Sequence, residues 1–268
     1  MKDVARFIPG TTPVLISIPH AGTYIPPDMR EAMTADAHAL PDTDWHVDRL
    51  YDFASSFGVG LLVASHSRYV VDLNRDPAGT PLYPGADNTD VVPTTTFARA
   101  PIYLPGRAPA PEETERRIGE FWQPYHDRLG AEIGALRRRF GVAVLWDAHS
   151  IPSEVPRFFA GRLPDLKLGS AMRASADPEL VRRIMARLGA APPFSAVLDG
   201  RFTGGYITRQ YGRPADGVHA LQLEIAQIAY MDEAPPYRYE PARAEPLRRV
   251  LRDCVAALVH WTGDRAGA

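Results

Sequence analysis

Residues Val14 to Gly22 read VLISIPHAG, and this stretch decides the fold. Val14, Leu15, Ile16, Ser17 and Ile18 form a short apolar run that meets Pro19 and His20 before the chain turns at Ala21-Gly22. A run of this length without polar alternation is a strand buried on both faces, as in a parallel sheet covered by helices. In an open sheet of that kind only the carboxyl edge is free for ligands. His20 stands at that edge, at the tip of its strand.

The pattern recurs. Val142 to Ser150 (VAVLWDAHS) is again an apolar run that ends in polar, ligand-type side chains, here Asp147, His149 and Ser150. Val218 to Glu224 (VHALQLE) is a third run, closed by a carboxylate. If the three strands are neighbours in one parallel sheet, their tips converge on one crevice.

Outward from these strands, Gly58 to Ala64 reads as a further buried strand, Tyr69 to Leu73 (YVVDL) as another, and Ser195 to Leu198 as a short one. Residues 1 to 12 read as a polar lead-in, and Ile151 to Leu168 as a loop. Helical segments are expected from Asp28 to Ala39 and after Asp44, where Trp45, Leu50, Phe53 and Phe57 supply an apolar face. A long helix is expected from Glu112 to Phe140, bent near Pro124, with a stripe that includes Ile118, Phe121, Tyr125, Leu129 and Ile133. Asp177-Pro178 caps a helix to about Leu188, and a last helix runs to about Trp261. The reading is an α/β chain forming a single domain over residues 1–268. Its Pro/Gly-rich loop at about 76–111 is long enough to serve as a lid or binding loop.

Composition narrows the function. The 268 residues are 45% hydrophobic and 23% charged, ordinary for a globular protein with a sizeable core. Thirty Lys and Arg against 32 Asp and Glu give a net charge of −2, which argues against bulk nucleic-acid binding. Nearly all the cations are arginine, the side chain suited to bidentate capture of carboxylates. The single cysteine, Cys254, rules out an internal disulfide and a cysteine-based zinc cluster. No apolar run has the length of a membrane span and the first ten residues lack a signal core, so a cytoplasmic setting is expected.

Two histidines and a carboxylate at strand tips are the parts of a catalytic zinc site with its base. His20 and His149 fit as the nitrogen ligands expected of such a site. Asp42, Asp44, His46 and Asp48 crowd within seven residues, more acid than helix capping needs. The third ligand is sought there, Asp44 first and Asp48 second. Glu224 ends an apolar strand, where partial desolvation raises a carboxyl pKa toward that of a general base. Cobalt or manganese would also suit such a site.

Six runs, PHAGTYIP, DTDWHVDRLY, SRYVVDLNRDP, WDAHS, GGYITRQYG and VHALQLEIAQIAYMDE, together resemble the N-formylglutamate amidohydrolase (N-formylglutamate deformylase) family. The likeness runs from about Pro13 to Glu233. It implies a three-layer α/β/α fold with a mostly parallel mixed sheet, phosphorylase/hydrolase-like and shared with zinc carboxypeptidases. It implies hydrolysis of N-formyl-L-glutamate to formate and L-glutamate in histidine degradation, a reaction at a linear amide C–N bond. His20 and His149 then correspond to zinc ligands and Glu224 to the base. One position departs: carboxypeptidase-like enzymes carry a glutamate ligand three residues after the first histidine, where this chain has Thr23. A substrate with two carboxylates implies at least two cationic anchors, sought among Arg68, Arg75, Arg157, Arg209 and Arg213, with Asn74 and Thr208 as neutral partners and Arg68 and Arg75 ranked first. The expected partner is a small anionic N-acyl amino acid, with no nucleic acid and no membrane, and the chain a monomer or small homo-oligomer. The competing readings are a zinc deacylase or carboxypeptidase-like hydrolase for another N-acyl amino acid, and a non-catalytic metal- or anion-binding protein.

Overall fold

The VLISI run is a strand with every residue buried, and it lies near the middle of a seven-stranded sheet. This computed structural model describes residues 3–265. The strands are β1 (Ala5–Ile8), β2 (Val14–Ile18), β3 (Gly60–Ala64), β4 (Ala143–Ile151), β5 (Leu166–Gly169), β6 (Ala196–Leu198) and β7 (Val218–Ala226), in the order β1-β3-β2-β4-β7-β5-β6. β2, β3, β4 and β7 run parallel; β1 and β5 pair antiparallel to their neighbours β3 and β7. The expected mostly parallel mixed sheet is therefore present. From β2 the chain adds β3 on one side and later β4 on the other, and the crevice between such strands is where open α/β sheets bind ligands.

Two apolar clusters sandwich the sheet and make the three layers. On one face Val14, Ile16, Ile18, Trp146, Leu221 and Leu223 pack with the helices Pro178–Gly189 and Pro241–Gly263. On the other, Leu15, Ala143, Leu145 and Ala220 pack with Tyr125, Leu129 and Ile133 of the helix Gln123–Phe140. Each fully buried Leu or Ile contributes roughly 1.5–3 kcal/mol. Asp177 caps its helix as the sequence indicates: its side chain accepts from Glu179 N at 2.7 Å, with Pro178 next.

Alternation along the strands fixes where the polar residues go. Asp147 and His149 share a face with Leu145, and Gln222 and Glu224 share it with Ala220. The amino-terminal halves of β4 and β7 thus give that face to the apolar layer, and their carboxyl-terminal halves present acids, an amide and an imidazole.

Several local expectations differ from the structure. Tyr69 to Leu73 is not a strand, although it is buried. Three of its carbonyls are taken by side chains: Arg117 Nη1 donates to Tyr69 O and Val70 O, and His126 Nε2 to Leu73 O at 2.8 Å. Asp72 N donates to Val91 O at 2.7 Å, so these polar backbone groups find partners without a neighbouring strand. The helix expected over Asp28–Ala39 shrinks to Pro27–Arg30 and a turn at Ala37–Ala39. β1 lies within the presumed lead-in, and β5 begins within the presumed loop. Near Pro124 the long helix carries a π-turn, Ile118–Trp122, where the missing N–H and the proline ring disturb the regular ladder.

Candidate metal centre and active site

β2, β4 and the segment after β2 bring His20, His149 and Asp44 together. One ligand-type atom from each lies within 4.8 Å of the others, and all three residues are buried. His20 Nδ1 is 3.8 Å from Asp44 Oδ2, and His149 Nδ1 is 3.1 Å from the same oxygen. Backbone ties hold the arrangement: Asp44 N donates to His20 O at 3.1 Å, and Ser150 N donates to Asp44 Oδ2 at 3.1 Å.

The far side of each ring is fixed by a carboxylate. His20 Nε2 donates to Asp72 Oδ1 at 2.8 Å, and His149 Nε2 lies 3.0 Å from Asp147 Oδ2. This sets both tautomers with Nδ1 turned toward Asp44, the carboxylate–histidine pattern of metal sites. His20 Nδ1 is buried with no hydrogen-bond partner. An orphaned imidazole nitrogen beside a carboxylate and a second imidazole fits a divalent metal bound through nitrogen and oxygen.

The electrostatics act differently on the three groups. Burial alone would raise the Asp44 carboxyl, yet Arg68, then His149 and His20, hold it below its ordinary value. Arg68 Nη2 donates to Asp44 Oδ1 at 2.5 Å, and Arg68 Nη1 stands 3.8 Å from Asp72 Oδ2. Burial opposes a charged His149, but Asp147 and then Asp44 push its pKa well above normal. His20 moves the other way, lowered first by burial and then by Arg68.

Glu224 is directly opposite His149 in the β4–β7 register. Burial pushes its pKa up to about 7 against the pull of His149, Lys167 and Arg68. Gln222 Nε2 donates to its Oε2 at 3.2 Å. Lys167 is its register partner on β5, buried, with a pKa brought down to about 8 by burial.

A cavity opens over this cluster, lined by His20, His149 and Glu224 and by Tyr83 and Phe97 of the 76–111 loop. Arg68, Asn74 and Arg75 also line it. Asn74 Nδ2 stands 3.1 Å from His149 Nε2 and donates to Asp147 Oδ2 at 3.4 Å, while its Oδ1 accepts from Ile207 N at 2.8 Å. Arg75 is anchored to Thr89 and to Asn74 O. The remaining candidates are turned elsewhere. Arg157 binds Asp87, Thr95 Oγ1 and Thr96 O; Arg209 binds Gly204 O, Leu82 O and Thr203 Oγ1. Both spend their donors on holding loops, and neither lines the cavity. Arg213 is exposed and pairs with Asp216, Thr208 is buried outside the cavity wall, Asp48 is exposed on the helix Val47–Leu50, and Thr23 is exposed as well.

Sequence reasoning did not single out Asp72, Gln222, Lys167, Gly205 or Arg201. A signal existed for Gln222, two residues before Glu224 and therefore on its face. Gly205 is needed for close approach: a Cβ there would lie 2.3 Å from Asn74 Nδ2.

The wider comparisons agree with the geometry. A family model described as N-formylglutamate amidohydrolase matches residues 12–231. The chain is 48% identical to an N-formylglutamate deformylase of Pseudomonas aeruginosa and 45% identical to one of Pseudomonas putida, each over 265 residues and 99% of both chains. It superposes on the crystal structure of an N-formylglutamate amidohydrolase from Ralstonia eutropha JMP134 with a TM-score of 0.78 and 27% identity, covering 98% of this chain and 99% of that one. With a matched fold, matched length and a histidine–carboxylate cluster at the carboxyl edge of its sheet, the chain belongs to the N-formylglutamate amidohydrolase family.

Proposed function

We propose that this chain hydrolyses N-formyl-L-glutamate to formate and L-glutamate, with His20, Asp44 and His149 holding a zinc ion and Glu224 acting as general base. The observation that carries the reading is the approach of two imidazole Nδ1 atoms to one oxygen of Asp44, with Glu224 next to His149 on the adjoining strand. Two nitrogens and a carboxylate oxygen are donors that suit zinc. When bound, the metal supplies a Lewis acid for the formyl carbonyl and makes a water acidic enough to be ionised near neutral pH.

The residues do the rest. Glu224 takes the proton of the attacking water and returns it to the departing amine, which suits a carboxyl poised near neutrality. Arg68 holds Asp44 in place and keeps positive potential beside the carbonyl oxygen as charge develops. Arg75 pairs with the α-carboxylate, and Asn74 orients the His149–Asp147 pair. Arg157 and Arg209 support the loops that close over the substrate. One domain carries all of this, and the reaction is assigned to the cytoplasm.

The test is release of the free amino acid from N-formyl-L-glutamate, N-acetyl-L-glutamate and N-formyl-L-aspartate, with and without a chelator. The expected result is preference for N-formylglutamate and loss of turnover on chelation. Preference for a larger acyl group would move the chain to the broader deacylase reading, and no turnover on any substrate would overturn hydrolysis.

A further inference from the structure

Three arginines line the cavity, and they differ in what their guanidinium groups already bind. Arg68 is committed to Asp44. Arg75 donates through Nε, Nη1 and Nη2 to Thr89 and Asn74 O. Arg201 donates only through Nε, to Phe158 O at 2.7 Å, and among the described residues it has no carboxylate partner. Its two terminal nitrogens are left as an unspent fork, the donor geometry that takes a carboxylate in bidentate fashion.

That fork is also held still. The Arg201 guanidinium lies over the Tyr83 ring at 4.7 Å and near the Phe202 ring at 5.4 Å. Tyr83 is itself fixed, because its OH accepts from Thr203 N at 3.3 Å and its N donates to Asn88 Oδ1 at 2.9 Å. Phe97 and Phe158 stand in the same wall and offer apolar surface for methylene groups. An immobilised cation in a partly apolar cavity loses little entropy when it captures an anion.

We infer that Arg201 is the specificity residue for the distal carboxylate of the substrate, so that the cavity selects N-acyl amino acids whose side chain ends in a carboxylate a few methylenes from the α-carbon. Arg75 lines the cavity and keeps one hydrogen on each of Nη1 and Nη2 beyond those given to Asn74 O and Thr89, and with these it takes the α-carboxylate while Arg201 reads the far end. This assignment rests on the hydrolytic reading above.

The experiment compares kcat/KM for N-formyl-L-glutamate and N-formyl-L-glutamine, which differ in that carboxylate alone, in wild type, Arg201→Gln and Arg201→Lys. Arg201→Gln is expected to lower kcat/KM on N-formylglutamate roughly a hundredfold, chiefly through KM, and to leave N-formylglutamine within about twofold. Arg201→Lys recovers part of the loss, since charge returns without the planar fork. Equal losses on both substrates, or no loss on either, would overturn the assignment. If wild type turns over neither substrate, the hydrolytic reading fails separately, and calorimetry decides the anchor. Glutarate then binds wild type more tightly than butyrate does and loses that advantage in Arg201→Gln; an advantage that survives the substitution rejects the anchor.

Discussion

His149 and Glu224 occupy directly opposed positions on the parallel strands β4 and β7, so an imidazole and a carboxyl leave the same face of the sheet side by side. The first belongs to the histidine–aspartate cluster and the second stands outside it. Replacing Glu224 with Gln should therefore lower kcat by about 10²–10⁴-fold while bound metal is retained. Steady-state formate release combined with metal analysis of the same preparation checks both halves.

The pH profile follows from the burial of Glu224. Its carboxyl is pushed up to about 7, and only the ionised form accepts a proton. A dication nearby favours that ionised form, so kcat/KM should rise with pH through an inflection at or below about 7. Lys167 faces Glu224 from β5 and also favours its anion. Lys167→Met removes that cation, and the inflection should move to higher pH; an unmoved or lowered inflection would rule out the coupling.

Protons and metal should compete. Burial opposes the His149 imidazolium, but Asp147 and Asp44 hold its proton to well above the ordinary pKa. A ligating imidazole must give that proton up, so affinity for zinc should fall by about tenfold per pH unit on the acid side. Asp147→Asn removes the carboxylate that orients the ring and should weaken zinc binding about 10- to 100-fold. Competition with a chromophoric chelator across a pH series measures both effects.

Arg68 is buried against Asp44 and Asp72. Arg68→Met strips a buried carboxylate of its cation, a change that costs about 3–5 kcal/mol. Added zinc offsets part of this by neutralising Asp44. Thermal unfolding with chelator and with excess zinc should show a larger deficit for the variant in chelator.

Much of the fold was legible because β2, β4 and β7 are short runs that are mostly apolar and buried throughout, and no other element accommodates such stretches as readily. Their polar tips exposed His20, His149 and Glu224 for the same reason. Asp44 was legible only as one acid among several, since its distinction from Asp48 is burial, which depends on how the segment after β2 folds back on His20. YVVDL misled because a strand and a loop clamped by Arg117 and His126 bury the same residues, and the clamps are 47 or more positions away in sequence. β5 was hidden by Lys167, a charge that reads as loop and is tolerated inside because it faces Glu224 and donates to Pro164 O. Arg201 carries no local pattern at all; its place follows from two loops meeting at Tyr83.

The most direct test of the central claim is an anomalous-scattering map at the zinc edge from crystals of the zinc-loaded protein. A single strong peak is expected between His20 Nδ1, His149 Nδ1 and Asp44 Oδ2, at about 2.0–2.2 Å from each. A peak bound by other residues, or none in this cluster, would contradict it.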